Sequence, residues 1–227
     1  MKKYTLEKVL KRVHHEWLPF FDENKQELIN ILNELNKFDT IYPRRSHLFR
    51  ATFYHSPKDI RLVILGQDPY ISEEQGKPQA IGLSFSVLKQ HKIPPSLVNI
   101  YTEIKNSYPD YVIPNNGFLK RWAKYENILL LNCSLTVEPH KSNSHAYLWT
   151  DFTNKMIQWF QNNNDGCVFL LMGKYSQNKA QYISGKHKIF AVPHPSPLSA
   201  YTGFFNSNVF KKINDYLLTK NIQQINW

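Results

Sequence analysis

Four short apolar runs, each reaching a polar residue at its end, constrain the fold more than any other feature of the sequence. They are RLVILG at residues 61–66, ILLLN at 128–132, CVFLLMG at 167–173 and KIFAVPH at 188–194. None of them alternates apolar with polar side chains, which is typical of strands buried on both faces of a sheet. Helical patterns separate the runs. The sequence therefore predicts an α/β fold with a short, twisted, four-stranded parallel sheet and helices on both faces.

Apolar residues at helical spacing predict two opening helices, one over Leu6 to Trp17 and one that starts at an N-cap at Asp22 and reaches Phe38. Later helical patterns cover residues 95–108, 117–126, 151–164, 175–183 and 206–220. No Gly/Ser-rich linker or composition break divides the 227 residues. We expect one domain over 1–227, with N-terminal helices in 1–40 and a motif-bearing core over about 42–210.

The charge balance favours a polyanionic partner. The chain has 28 Lys and Arg against 18 Asp and Glu, a net charge of +10, which is typical of nucleic-acid binding; better solubility is the alternative. The start, MKKYTLEKVLKRV, lacks the apolar region of a signal peptide, and nowhere do about 18 apolar residues run together. Cys133 and Cys167 are interpreted as small buried side chains in a reducing compartment. We expect an intracellular, cytoplasmic protein without membrane contact, with a nuclear or viral setting left open.

The polar ends of the four runs are expected to meet. They are Gln67 and Asp68, Asn132, Gly173 and Lys174, and His194. Carboxyl ends of parallel strands lie along one edge of the sheet, and ligands bind in the crevice outside that edge. Taken singly, each end also has a purely structural explanation: Asp-Pro-Tyr is good turn chemistry, Asn132 can satisfy strand-end backbone groups, and Gly173 can be a turn glycine.

Six motifs in one order carry a family resemblance. They are GQDPY at 66–70, GLSFSV at 82–87, PPSL at 94–97, LLLNCSLTV at 129–137, LLMGKYSQ at 170–177 and HPSPLSAYTGFF at 194–205. From about Tyr42 to Phe210 the sequence resembles the uracil-DNA glycosylases of the common single-domain family, family 1. The resemblance implies a base excision repair enzyme that flips uracil out of DNA and hydrolyses its N-glycosidic bond, leaving an abasic site. It also implies no cofactor and no metal. No lysine occupies a plausible Schiff-base position in the motifs, so we expect no lyase step.

The resemblance assigns roles around the base. Asp68 supplies negative charge below the oxocarbenium-like sugar and positions the attacking water, and His194 donates a hydrogen bond to uracil O2 as a neutral imidazole. Gln67 adds contacts near the same oxygen. Phe85 stacks on the base, Asn132 reads its edge, and Tyr70 fills the space of the thymine methyl group. Discrimination against cytosine requires neighbouring hydrogen bonds to hold the Asn132 amide in one orientation.

The resemblance also assigns the contacts with DNA. Leu198 is the apolar wedge that enters the duplex where the base was. The predicted phosphate contacts are Ser96, Gly173, Lys174, Ser196 and Ser199. The implied partners are uracil-containing single- or double-stranded DNA and an acidic inhibitor protein that imitates DNA, with the enzyme itself a monomer.

One departure from the family pattern keeps an alternative open. Ile71 stands where the family usually has a histidine after Asp-Pro-Tyr, and the loop of residues 71–80 is a few residues longer than usual. The alternative is a glycosylase-fold DNA-binding module with reduced catalysis. A metal-dependent phosphodiesterase with Asp68 and His194 as ligands is a second alternative, and loss of activity with a chelator would distinguish it.

Overall fold

The four apolar runs form the central sheet. The structure, a computed structural model, describes residues 3–227. Its strands are β1 (Leu62–Gly66), β2 (Glu73–Glu74), β3 (Lys77–Pro78), β4 (Ile128–Asn132), β5 (Val168–Met172) and β6 (Lys188–Val192). The strand order of the main sheet is β4-β1-β5-β6, and all its pairs are parallel. The predicted four-stranded parallel sheet is therefore confirmed. The pair β2-β3, a small antiparallel hairpin, was not predicted.

Burial differs among the four strands of the main sheet. Every residue of β1, β4 and β5 is buried, and since successive side chains point to opposite faces, both faces of these strands are covered. Strand β6 differs: Lys188 and Ala191 are exposed and only Val192 is buried. The prediction that this run is buried on both faces is wrong: β6 lies at one edge of the sheet and is only partly covered, whereas β4, at the opposite edge, is fully buried.

Helices flank the sheet. They are α1 (Leu6–Leu10), α2 (Leu18–Glu23), α3 (Lys25–Leu35), α4 (Pro95–Ser107), α5 (Lys120–Tyr125), α6 (Ala146–Asn162), α7 (Lys174–Gln177) and α8 (Val209–Thr219). Short 3₁₀ turns lie at His15–Trp17, Arg45–His47, Arg50–Thr52, Pro57–Asp59, Asn178–Tyr182 and Ala200–Thr202. In the part of the chain from residue 3 onward, no helix is long and apolar enough to cross a membrane.

The N-terminal region is helical but is divided differently from the prediction. The predicted helix from Leu6 to Trp17 ends at Leu10, and Asp22 lies inside α2 instead of capping a helix. The cause is tertiary: Trp17 is fully buried and its Nε1 donates to the carbonyl oxygen of His55 at 3.0 Å. The chain bends to place this ring in the core. Residues 1 and 2 of the predicted 1–40 segment lie outside the described residues.

One hydrophobic core joins the N-terminal helices to the sheet and extends from Val9 to Trp227. Trp17 stacks on Phe160 of α6 with ring centroids 5.7 Å apart. Cys133 and Cys167 are both buried and free, as predicted. The chain folds as a single domain, and this core holds the carboxyl ends of the strands in fixed positions.

Candidate active site

A pocket of about 250 Å³ lies at the carboxyl edge of the sheet. Seven of the side chains singled out from the sequence line it: Gln67, Asp68, Tyr70, Phe85, Ser96, Asn132 and His194. They come from the ends of three different strands and from the segments between them. Gly173, Lys174, Ser196, Leu198 and Ser199 are not part of its wall. The structure thus brings the base-contacting candidates together and places most of the phosphate-contacting candidates outside the pocket.

Asp68 is held through one of its two carboxylate oxygens. Its Oδ2 accepts hydrogen bonds from the Ser142 hydroxyl at 2.7 Å and from the backbone N–H of Asn143 at 2.6 Å. Within residues 3–227, no hydrogen bond reaches Oδ1. Two donors on one oxygen orient the carboxylate and leave the other oxygen for a ligand or water. The sequence motifs contain no sign of Ser142, although it also lines the pocket.

His194 is held as a donor. The backbone N–H of Ser196 donates to His194 Nδ1 at 3.0 Å, so in the neutral ring the proton is on Nε2. Burial lowers the pKa of His194, and the negative charge of Asp68 opposes that shift only in part. Protonation of the ring would also add a hydrogen on Nδ1, which would face the Ser196 N–H and leave two donors opposed. The ring is therefore a neutral Nε2–H donor at pH 7.

Gly173, the glycine that follows β5, allows His194 its position. A Cβ on this glycine would lie 2.9 Å from His194 Cβ, and its φ of +85° is a conformation that other residues rarely adopt. Gly173 thus contributes to the site by its small size. Lys174, which begins α7, is exposed.

Phe85 and Tyr70 form a linked aromatic wall. The Tyr70 hydroxyl donates to the Phe85 carbonyl oxygen at 3.2 Å, and burial raises the Tyr70 pKa, so the phenol stays protonated. Phe85 has a φ of +60° and its ring centroid lies 6.0 Å from that of His194. A left-handed conformation is uncommon for a bulky residue, and such strain concentrates at functional sites.

Asn132, the last residue of β4, has a side chain that is confined by contact. The residue is 8% exposed, and a Cβ on Gly66 of the neighbouring strand would lie 2.2 Å from Asn132 Oδ1. The predicted hydrogen-bonded lock is not observed: across residues 3–227 no protein hydrogen bond holds the amide of Asn132. A glycine at position 66 leaves room for the amide, so packing limits where the side chain lies; packing does not select between the two flipped orientations, whose O and N are alike in size.

The segment of residues 193–199 protrudes from the pocket rim and is tied down at its base. Leu198 is 96% exposed. The Ser199 hydroxyl donates to the His194 carbonyl oxygen at 2.8 Å, and it lies 3.0 Å from the Ser196 hydroxyl. From α4, Asn99 Nδ2 donates to the Pro195 carbonyl oxygen at 2.8 Å. A stiff loop therefore presents an isolated apolar side chain beside the pocket.

The long loop of residues 71–80 is ordered by the hairpin. Ile71 lines the pocket and packs against Tyr42 and Val137. The Tyr42 hydroxyl donates to Glu73 Oε2 at 2.9 Å, and Glu74 Oε2 accepts from the Lys92 backbone N–H at 3.0 Å. Position 71 thus provides an apolar wall without a hydrogen-bonding side chain.

Metal-ligating side chains are not clustered in the described part of the chain: between residues 3 and 227, no three His, Cys, Asp or Glu side chains could hold an ion together. Asp68 and His194 share the pocket, but no third residue of these types completes a metal site with them.

Comparison with known proteins gives a consistent result. The sequence profile of the Uracil DNA glycosylase superfamily matches residues 53–218. The uracil-DNA glycosylase of Aliivibrio fischeri is 43% identical over 207 residues, covering 90% of this chain and 89% of that protein. That of Photorhabdus laumondii is 46% identical over 202 residues, with coverages of 88% and 87%.

Solved structures agree with the sequence relatives. The crystal structure of mimivirus uracil-DNA glycosylase matches with a TM-score of 0.88 at 30% identity, covering 96% of this chain and 88% of that one. A variant of the mimivirus enzyme in complex with UGI matches with a TM-score of 0.90, also at 30% identity, with coverages of 94% and 88%. Both similarities extend over nearly the whole chain.

Proposed function

The chain belongs to the uracil-DNA glycosylase superfamily, and on that premise we propose that Asp68 and His194 cleave the glycosidic bond of a uracil held in the pocket. The function is that of the family: DNA repair by hydrolysis of the bond between uracil and deoxyribose. The observation that carries the residue assignment is the convergence of a carboxylate, an imidazole donor and an amide on one pocket. Such a site can bind a base that has been turned out of the helix.

The chemistry follows from where charge develops. As the bond from C1′ to N1 breaks, its electron pair leaves with uracil and the sugar becomes cationic. Oδ1 of Asp68 faces that cation and orients the water that adds to C1′. The Nε2–H of His194 donates to uracil O2, where the negative charge accumulates. Gln67 lies beside this oxygen. A neutral donor suffices there, since the uracil anion is itself fairly stable.

Two contacts exclude the other pyrimidines. Asn132 offers an N–H₂ group to O4 and an oxygen to N3–H, and cytosine presents the reverse pattern. Phe85 stacks on the face of the base. A missing methyl group changes binding by only about 1–3 kcal/mol, so rejection of thymine needs a clash. The Tyr70 ring provides it.

The protruding loop engages the DNA. Leu198 fills the gap left by the extruded base, and its exposure and the tethered loop around it support that role. Phosphates are bound by Ser96, Ser196 and Ser199 and at the turn of Gly173 and Lys174. These contacts read no base, so binding depends on salt and little on flanking sequence.

The partners follow from the substrate. The chain acts as a monomer on uracil in single- or double-stranded DNA, and its net charge of +10 suits an acidic inhibitor protein that imitates DNA. The mimivirus relative in complex with UGI supports a protein partner of this kind. We also propose that the enzyme works in the cytoplasm, where a DNA substrate would be accessible.

The test is uracil release from a uracil-containing single-stranded oligonucleotide, which removes the need to open a duplex. We expect Asp68→Asn to lower kcat by roughly 10²–10³-fold, as does loss of other preorganised electrostatic contacts. DNA affinity should change little. DNA binding without uracil release by the wild type would favour the alternative of a binding module with reduced catalysis, for which Ile71 is the motivating residue. Equal rates for both proteins would contradict the assignment of Asp68.

A further inference from the structure

We propose that Ser142 is a positioning residue for Asp68. The proposal rests on the proposed function, because it concerns the carboxylate assigned there to the sugar and the water. Ser142 lies in the segment of residues 138–145, here called the serine loop, which belongs to none of the six motifs. In the chain, the serine loop lies between β4 and α6, and its Ser142 lines the pocket.

The geometry assigns the Ser142 hydroxyl a single partner. It donates to Asp68 Oδ2 at 2.7 Å, beside the Asn143 N–H at 2.6 Å. No second hydrogen bond to this hydroxyl occurs within the described chain. The two donors occupy the same oxygen, so they fix the rotation of the carboxylate about the bond from Cβ to Cγ and direct Oδ1 away from the serine loop.

The serine loop is rigid enough to act as a support. Val137, which directly precedes the serine loop, exchanges both backbone hydrogen bonds with Tyr42, at 2.8 and 2.9 Å, and the His140 N–H donates to the Ile71 carbonyl oxygen at 2.9 Å. At the other end, His145 is fully buried and its Nδ1 lies 2.9 Å from Thr136 Oγ1. These contacts tie the serine loop to Ile71, which follows Asp68 in the chain, and anchor the loop at both of its ends.

Burial in the core does not explain the presence of a serine at position 142. Its side chain is exposed, as is that of Asn143, so neither is part of the core. The residue that follows Tyr70 is Ile71, which can offer Asp68 no hydrogen bond from its side chain. Ser142 is therefore the side-chain donor on the carboxylate. In the free enzyme such an exposed hydrogen bond is weak. Bound DNA would cover the pocket and remove water from it, and a hydrogen bond is stronger where water is excluded.

The experiment is a double-mutant cycle between Ser142 and Asp68. Four proteins are compared by single-turnover uracil release from a single-stranded oligonucleotide: wild type, Ser142→Ala, Asp68→Asn and the double variant. Ser142→Thr is the matched control, because it keeps a hydroxyl at the same position. Thermal unfolding and DNA affinity are measured for each protein.

We expect Ser142→Ala to lower the single-turnover rate about tenfold, the effect of removing a hydrogen bond to a charged group. DNA affinity and unfolding temperature should stay at wild-type values, and Ser142→Thr should recover most of the rate. In the Asp68→Asn background the same alanine substitution should change the rate less than about twofold. That coupling is specific to a residue that acts through Asp68.

Provided that Asp68→Asn itself is slow, two results would overturn the inference while leaving the proposed function intact. One is a wild-type rate for Ser142→Ala. The other is an equal loss of rate from the alanine substitution in the wild-type and Asp68→Asn backgrounds. An Asp68→Asn enzyme with the wild-type rate would remove the proposed role of Asp68 and this inference together. The outcomes are thus distinguishable within one set of measurements.

Discussion

At the residue scale, the side chains around the pocket are oriented by the backbone more than by each other. The Ser196 N–H sets the tautomer of His194, the Phe85 carbonyl oxygen receives the Tyr70 hydroxyl, and the Asn143 N–H binds Asp68. A backbone N–H or carbonyl group remains in place when the side chain of its own residue is substituted. Single substitutions in the pocket therefore report on the residue that is changed, with Ser142 the exception because its hydroxyl is the donor.

Replacing Tyr70 tests how thymine is rejected. Tyr70→Ala removes the ring and should allow measurable release of thymine from DNA, whereas Tyr70→Phe keeps the ring, loses only the hydrogen bond to Phe85 and should still exclude thymine. The measurement is release of labelled thymine and uracil from matched oligonucleotides. Thymine release by the phenylalanine variant alone would show that the hydroxyl, and not ring volume, provides the discrimination.

The pH dependence of kcat tests the neutral donor at His194. Because burial lowers the pKa of His194, the ring is neutral above pH 6.5 in the folded enzyme. A neutral donor keeps kcat level as pH rises from 6.5 to 8. An acting imidazolium would instead make kcat fall by about tenfold per pH unit over the same range. His194→Ala is the comparison, and its rate should be lower by the same factor at every pH in this window.

At the element scale, the tethered loop of residues 193–199 should matter most where a base must be extracted from a duplex. Leu198→Ala should lower uracil release from double-stranded DNA about tenfold and from single-stranded DNA less than about twofold, because only the duplex must be unstacked. Val112→Ala is the matched control, since Val112 is also exposed, at 84%. Equal losses on both substrates would indicate that Leu198 contributes to the pocket and not to base extraction.

The strands could be predicted from the sequence because three of them are fully buried, and an unbroken apolar run is the direct consequence of that environment. The partial exposure of β6 was missed because its apolar run resembles those of the buried strands, and edge position alone does not decide burial, since β4 at the other edge is fully buried. Some helix starts were also missed, although α4 begins at Pro95 as predicted. Helix α6 begins at Ala146 instead of near residue 151, next to His145, which is buried through its contact with Thr136 in another segment.

The site could be predicted where its residues lie in motifs and not elsewhere. Asp68, Asn132 and His194 stand at strand ends, and strand ends converge in a parallel sheet. Ser142 lies 74 residues from Asp68 in a polar loop that looks like any surface loop in sequence. The absence of a hydrogen-bonded lock on Asn132 was equally hidden, because the close approach of Gly66 depends on the register of β1 and β4.

At the scale of the whole molecule, the net charge of +10 should govern DNA affinity. The logarithm of the binding constant should fall linearly with the logarithm of salt concentration, with a slope of about −0.9 per neutralised phosphate in duplex DNA. Lys174→Ala should reduce the magnitude of that slope by about one. Lys155 is paired with Glu27 at 2.8 Å, so Lys155→Ala should leave the salt slope unchanged. A slope insensitive to Lys174 would remove this residue from the DNA interface.

The stability of the whole fold should fall as pH drops from 7 to 5. Burial lowers the pKa of His47 to about 4, with Arg50, Arg12 and Arg44 adding to the shift, whereas an unfolded chain takes up that proton near pH 6.5. Below pH 6.5 the unfolded state therefore binds more protons, and the free energy of unfolding decreases by up to about 1 kcal/mol per pH unit for this residue. His194 and His187, whose pKa values burial also lowers, act in the same direction.

Urea unfolding at pH 7, 6 and 5 and constant ionic strength measures this loss, and His47→Gln separates the contribution of His47 from the rest. The variant cannot titrate, so its free energy of unfolding should decrease less than that of the wild type between pH 6.5 and 5. This window lies above the range in which most carboxylates titrate, so histidines dominate the difference. The same decrease in both proteins would mean that the His47 proton is taken up equally in the folded and unfolded states, which contradicts burial beside three arginines.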